Sequence, residues 1–260
     1  MGGLDLAMVA AANDAWVLEP EGSEVVETAE YRLVRFPERF PDQLQVQWVR
    51  SARPADTVLW DVVARAVEFG MPEVGFYVRL SAPAGLEEAL LGRGAELVDT
   101  GDVLPMALPA DVKAPDVPGL EVRWLTAPDV ARDANTIGVS VFDGSTASDD
   151  ELARRAAAYR GTVAAGTGGV VVGYLDGTPV AVAGVEIVDG VAQLWGGGVL
   201  EAYRGRGVYR ALVAARMTYA AEQGATMALT QGRVATSSPI LQRVGFISYG
   251  RERSYRLPLG

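Results

Sequence analysis

The chain has neither cysteine nor histidine in 260 residues. These absences exclude disulfides, thiolate nucleophiles, imidazole bases and the usual zinc ligands, so no metal site is expected. Any catalysis must use carboxylates, hydroxyls, backbone amides or water. Lysine is almost missing too: Lys113 stands alone beside 22 arginines, which leaves little room for lysine chemistry and fits a GC-rich, bacterial genome. No apolar run approaches the roughly 20 residues of a membrane helix. Met1 to Trp16 carries Asp5 and Asp14 without a basic start, so neither a span nor a signal peptide is expected, and the expected location is the cytoplasm. An excess of basic charge is also lacking. The net charge of -10 argues against nucleic-acid binding.

What is present divides the chain in two. Residues 1–113 hold 19 acids against 9 bases, whereas residues 114–260 hold 14 of each. Pro109 to Gly119, with Pro109, Pro115 and Pro118 among polar residues, suits neither a core helix nor a central strand and reads as a linker. The boundary is therefore expected near Lys113. With 49% hydrophobic residues, each half can build a core.

In the first half, Leu4 to Trp16 reads as a helix and Glu19 to Glu30 as an acidic surface run. Strands follow at Tyr31 to Phe36 and Gln43 to Val49, the second alternating with Leu44, Val46 and Trp48 on one side. A helix from Asp56 to Phe69 stops at Gly70, a strand runs from Val74 to Leu80, and a short helix from Leu86 to Leu91. A strand pair, around Leu97 and from Leu104 to Leu108, closes the half.

The second half opens with the strand Leu120 to Leu125. Helices are expected from Ala127 to Val141 and, with Ser148 as cap and Glu151 three residues on, from Asp149 to Arg160. Gly169 to Tyr174 and Pro179 to Val188 form a hairpin turned by Asp176-Gly177, and Asp189-Gly190 turns into the strand Val191 to Val199. After a helix ending at Gly224 come a strand from Thr226 to Thr230, a helix from Ser238 to Val244, and a closing strand pair from Phe246 to Leu257.

Gln193 to Leu212, QLWGGGVLEAYRGRGVYRAL, passes from a strand through three glycines and an Arg/Gly turn straight into a helix. Glycines admit a ligand close to the backbone, and the unpaired amides at a helix start face an anion, so the stretch suits a pyrophosphate. It is not a dinucleotide fingerprint, because Arg210 stands where a third glycine would be needed, and no Lys-Ser/Thr pair follows as in a P-loop.

This stretch resembles motif A of the GNAT superfamily of N-acetyltransferases, whose Q/R-x-x-G-x-G/A loop binds the pyrophosphate of acetyl-CoA. Arg204 and Gly207 match, and Tyr209 replaces the last small residue. The element order and the tail Ser237 to Phe246, ending in Gly-Phe, are similar to the family's as well. The first half looks like a degenerate copy: LLGRGA at Leu90 to Ala95 lies over LQRVGF at Leu241 to Phe246, and Arg50-Ser51-Ala52-Arg53-Pro54 stands where the loop should be. The expected fold is α/β (α+β), two tandem acetyltransferase-like domains, 1–113 and 114–260, each a mixed, mostly antiparallel sheet flanked by helices.

The resemblance implies an N-acetyltransferase moving acetyl directly from acetyl-CoA to the primary amine of a small molecule. The alternative is a non-catalytic acyl-CoA-binding module. Cofactor contacts are expected from Val199, Leu200, Arg204, Gly205, Arg206, Gly207, Val208, Tyr209 and Arg210, with pantetheine beside the strand and an amide near Gly198 to Leu200 on the thioester. Glu186, expected to share a strand face with Val180, Val182, Gly184 and Val188, is the candidate base, because an apolar setting raises a carboxylate's pKa. The family's tyrosine acid falls at Leu241, so Ser237, Ser238 or Tyr209 are the hydroxyls that could replace it. Asp143, Asp149 and Asp150 could bind a cationic amine.

Overall fold

The computed structural model describes residues 4–38, 40, 42–110, 112–142 and 144–259. They form two compact units. Unit 1 comprises Met1–Val103, Gly232–Ser238 and Ser248–Gly260; unit 2 comprises Leu104–Gln231 and Pro239–Ile247. Compactness therefore does not divide the chain at a single point near Lys113: the C-terminal strand belongs with the first unit. Among the described residues no helix is long and apolar enough to cross a membrane.

Unit 1 begins with α1 (Leu6–Ala15), whose cap Asp5 accepts the Met8 amide at 2.7 Å. Its strands are β1 (Glu24–Glu27), β2 (Tyr31–Arg35), β3 (Leu44–Val49), β4 (Glu73–Val78), β5 (Glu96–Ala107) and β11 (Arg251–Pro258), in the spatial order β1-β2-β3-β4-β11-β5. The β3–β4 pair is parallel and the others are antiparallel. Helices α2 (Ala55–Val67) and α3 (Leu86–Gly92) bury Val58, Leu59, Val62, Leu86 and Leu90 against Leu33, Val46 and Phe76. This is the 3.6-residue apolar stripe of a helix laid on a sheet face.

Three readings are corrected here. The acidic run contains β1, whose Glu24 and Glu27 are exposed at the sheet edge. The expected pair around Leu97 and Leu104 is one twelve-residue strand, β5, and the unit boundary falls within it. The expected closing pair is the single strand β11.

Unit 2 contains β6 (Leu120–Trp124), α4 (Pro128–Phe142), α5 (Asp149–Ala164), β7 (Gly168–Leu175), β8 (Thr178–Val188), β9 (Val191–Val199), α6 (Val208–Glu222) and β10 (Met227–Arg233, as far as Gln231). Helix α7 (Ser237–Val244) enters it from Pro239. The strand order is β10-β9-β8-β7-β6, antiparallel except for the parallel β9–β10 pair. Both hairpin turns use left-handed backbone, with φ of 50° and 78° at Asp176-Gly177 and 49° and 77° at Asp189-Gly190, the geometry of type I′ turns. Ser148 caps α5 by accepting the Glu151 amide at 3.3 Å. Helices α4 and α5 cover one sheet face through Val130, Ile137 and Leu152. Helix α6 covers the other through Val208, Leu212, Val213 and Met217.

Candidate functional site

Strands β9 and β10 pair in parallel from Val191↔Met227 to Leu194↔Thr230 and no further, although β9 runs on to Val199. Thr230 Oγ1 donates to the Leu194 carbonyl at 2.8 Å and pins the last pair. Beyond it no further β9–β10 pair forms among the described residues, and three glycines begin two residues later.

Each glycine has its own reason. Gly196 has φ +56° and marks a bulge: Val182 faces Gly198 while Gly184 faces Trp195, so β9 carries one residue more than β8 over this interval. A Cβ on Gly197 would lie 2.9 Å from Cε2 of Tyr209, on the α6 side. A Cβ on Gly198 would lie 2.5 Å from Val141 and 2.8 Å from Phe142, at the end of α4. The Trp195 ring fills the space a side chain at Gly184 would need. Two large apolar side chains are left in solvent on this α4 side, Trp195 at 37% and Phe142 at 50% exposure.

The Arg/Gly loop closes into α6 as its residue types require. Gly205 (φ +76°) and Gly207 (φ +87°) take left-handed backbone, and Gly207 serves as N-cap with no side chain in the way. Its carbonyl accepts the Ala211 amide at 3.1 Å, so the helix starts cleanly. The amides of Val208, Tyr209 and Arg210 have no carbonyl above them in the helix. A Cβ on Gly207 would press on Val117 at 3.1 Å. Arg204 donates Nε to the Val199 carbonyl at 3.2 Å, Arg206 reaches the Ala202 carbonyl at 3.4 Å, and both side chains are exposed. Leu200 spends its amide on the Val180 carbonyl at 2.9 Å. The expected cofactor residues thus lie on one stretch of chain, from the end of β9 through a 3-10 turn at Glu201–Tyr203 to the first turn of α6, with exposed arginines along it.

The chemistry-bearing candidates are placed less simply. Glu186 is exposed, paired across the sheet with Gln193 and Gly168, so the apolar setting expected for it is absent. Glu186 stands toward the exposed end of β8, and a register shift between β7 and β8 separately removes Val180 from its face: Tyr174 faces Pro179 and Gly173 faces Ala181, leaving Val180 between them. Val180 packs with Ala181 and Leu212, while Val182 packs with Ile137, so the five residues do not share one face. Ser237 opens α7 and its hydroxyl accepts the Arg233 amide at 2.9 Å. Ser238 is buried and donates to Asp102 Oδ2 at 2.5 Å. Both serines lie in unit 1, whereas Glu186 and the loop lie in unit 2. Asp149 receives Arg132 at 3.0 Å, both exposed; Asp150 is exposed; Asp143 lies outside the described residues. Leu241 is buried against the unit 2 core with Met106 and Phe246.

Sequence reasoning missed Arg216. It lies on α6 with only 2% exposure, donating Nε to the Leu212 carbonyl at 3.1 Å and Nη1 to those of Gly184 at 2.9 Å and Trp195 at 3.4 Å. The signal was available: position 216 falls between Leu212 and Tyr219, inside the apolar stripe. Tyr209 is the other polar group on this side, its phenol pushed up by burial and drawn back slightly by Arg216.

A mixed sheet with helices on both faces, a parallel pair that parts beside a bulge, and a glycine-capped helix start define an α/β fold. Residues 139–246 match the family model described as Acetyltransferase (GNAT) family. Members of that family are acetyltransferases and generally use acetyl-CoA. The chain shares its fold with a GCN5-related N-acetyltransferase from Kribbella flavida (TM-score 0.71, 20% identity, 99% of this chain and 97% of that one). It is also similar to a GCN5-related N-acetyltransferase from Sphaerobacter thermophilus (0.67, 17%, 92% and 83%). A third similar structure is a tandem GNAT protein from the clavulanic acid biosynthesis pathway (0.64, 17%, 97% and 88%). No curated protein matches the chain by sequence.

Proposed function

We propose that the chain transfers the acetyl group of acetyl-CoA directly to the primary amine of a small molecule, at one site in residues 114–260. The observation that carries this reading is the junction of β9 with α6. There, left-handed glycines leave the Val208 to Arg210 amides open to a pyrophosphate, and the edge of β9 has parted from β10 beside them. A Cβ at Gly207 would press on Val117 and one at Gly197 on the Tyr209 ring, so the loop and the strand beside it admit no side chain at these positions.

In the transfer, the amine nitrogen bonds to the carbonyl carbon, the C–S bond breaks, and sulfur leaves with the electron pair. Glu186, two strand pairs along from Gly184↔Trp195, is assigned removal of the amine proton through water. Tyr209, kept protonated by burial, is the hydroxyl set against the β9 glycines and is assigned protonation of the thiolate. The exposed rings of Trp195 and Phe142 beside Glu186's strand suit an amine of small-molecule size.

The first half is read as a degenerate copy without a site. At its corresponding turn, Arg53 is held by Glu30 at 2.6 Å and by Asp61 at 2.8 Å, and its amide donates to Ser51 Oγ at 3.0 Å. Arg53 and then Ser51 hold the Glu30 carboxyl below its usual range. The β3–β4 pair covers only Gln45↔Gly75 and Val46↔Phe76. Beyond it the chain bonds to itself: Arg79 donates to the Asn13 and Trp16 carbonyls and Gln47 to that of Leu18 at 2.6 Å. The turn and the strand ends of this half are thus bonded to the chain itself, which supports reading it as a degenerate copy.

Calorimetry with acetyl-CoA is expected to give one molecule bound per chain. Release of CoA is then followed against aminoglycosides, amino acids, polyamines and arylalkylamines. Binding without release above background for any amine would favour the second reading, a non-catalytic acyl-CoA-binding module, which the buried Leu241 at the family's tyrosine position supports.

A further inference from the structure

Three arginines are buried among the described residues: Arg32, Arg79 and Arg216. Arg32 meets Glu19 and Glu27, and Arg79 lies 3.9 Å from Glu252. Arg216 has no carboxylate within 4 Å among the described residues, and three main-chain carbonyls are its partners. A buried cation without an anion is costly, and a leucine or methionine would fill the same stripe of α6 without that cost. Burial lowers the guanidinium to about 10, which leaves it charged at neutral pH.

The two carbonyls it holds outside its own helix belong to one strand pair, Gly184↔Trp195, on the near side of the β9 bulge. The next residue is Gly196, with φ +56°. A trans peptide sets its N–H opposite its C=O, so holding the Trp195 carbonyl toward α6 also sets the direction of the Gly196 amide. Two helical turns before Arg216, Tyr209 packs on Gly197. The same helix therefore braces the bulge at two successive points, once by a ring and once by a charge.

We propose that Arg216 is a positioning residue for acyl transfer: it fixes the bulge peptides that face the thioester and places an uncompensated positive charge beneath them. Negative charge develops on the carbonyl oxygen and then on sulfur as the C–S bond breaks. Preorganised dipoles and a desolvated cation favour that change without having to reorganise. The bound ground state gains less, because its carbonyl is neutral. Arg216 therefore acts mainly on turnover, and weakly on co-substrate affinity. This inference rests on the acetyl-CoA reading above.

The test uses the full chain, acetyl-CoA labelled with carbon-13 at the carbonyl, and the variants Arg216→Met and Arg216→Lys. Calorimetry gives affinity, infrared difference spectroscopy gives the bound carbonyl stretch, and CoA release with the best amine of the panel gives turnover. In the wild type the bound stretch is expected below that of free acetyl-CoA. Arg216→Met is expected to bind within about threefold of wild type, to return the stretch toward the free value, and to lose roughly 100-fold in turnover. Arg216→Lys, which keeps the charge and lacks the planar fork, is expected between the two. A methionine variant with wild-type stretch and turnover overturns the proposal. Should that variant not fold, a lysine variant indistinguishable from wild type overturns it equally. Failure of the wild type to bind acetyl-CoA at all would instead sink the functional reading, before any variant is compared.

Discussion

Gly197 and Tyr209 are a matched pair: the ring on α6 occupies the space that any side chain on this residue of β9 would need, with 2.9 Å between the Cβ position and Cε2. Gly197 itself has no left-handed backbone, so a substitution there is resisted by packing alone. Gly197→Val is expected to destabilise the protein by about 1–3 kcal/mol through overpacking. Tyr209→Ala in the same background should return part of that loss, giving a favourable coupling of about 1 kcal/mol or more in a double-mutant cycle by urea unfolding. Additive effects would show that the ring yields freely.

Gly196 makes the opposite case. Its φ is +56°, and no atom lies within 4 Å of where a Cβ would stand. Gly196→Ala should therefore cost about 1–2 kcal/mol from left-handed backbone alone. Gly196→Asn should cost less, because asparagine tolerates this conformation. Equal costs for the two, measured by thermal unfolding, would mean that the bulge has relaxed into ordinary strand geometry.

At Gly207 the two constraints act together, with φ +87° and Val117 at 3.1 Å from the Cβ position. Gly207→Val is expected to abolish acetyl-CoA binding in calorimetry, and Gly207→Ala to weaken it by about tenfold, equivalent to 1.4 kcal/mol. Retained affinity in a folded valine variant would place the pyrophosphate elsewhere.

The run Gly196-Gly197-Gly198 shows how far the sequence could be read. Their presence marked a loop and a strand made for close approach. That one serves a bulge, one a tyrosine and one (Gly198) the end of α4 is tertiary information. The hairpin turns were legible because Asp-Gly pairs carry their geometry locally, and both take it. Strand β1 was hidden because its ends are glutamates, the charges that protect a sheet edge from pairing. Strand β5 was broken in two by Asp99, Gly101, Asp102 and Pro105, yet Asp102 is buried and bonded to Ser238, more than a hundred residues away in the chain. Glu186 obeyed the two-residue alternation from Val182 onward, but it falls at the exposed end of β8, and the extra residue at Val180 takes that valine off its face. Arg216 sat in plain view within an apolar stripe, and only its partners revealed that it has no acid.

The last prediction concerns unit 1, where Glu252 is buried between Asn13, which donates to it at 2.9 Å, and Arg79 at 3.9 Å. Burial pushes its carboxyl above the ordinary 4.5, and Arg79 and Asn13 offset that only in part. Below pH 4.5 both folded and unfolded chains hold the proton, and the group has no effect on stability. As pH rises past 4.5 the unfolded chain releases its proton first, so the folded state binds more protons and stability falls with pH. The loss is complete once the folded group has ionised. Glu252→Gln keeps an acceptor for Asn13 and removes the ionisation. It should match the wild type in acid and become progressively more stable than it from pH 4.5 toward neutrality, in urea midpoints taken across that range. If the wild type instead gains on the glutamine variant as pH rises, then Arg79 and Asn13 outweigh burial, and the carboxylate is a stabilising partner in the charged form.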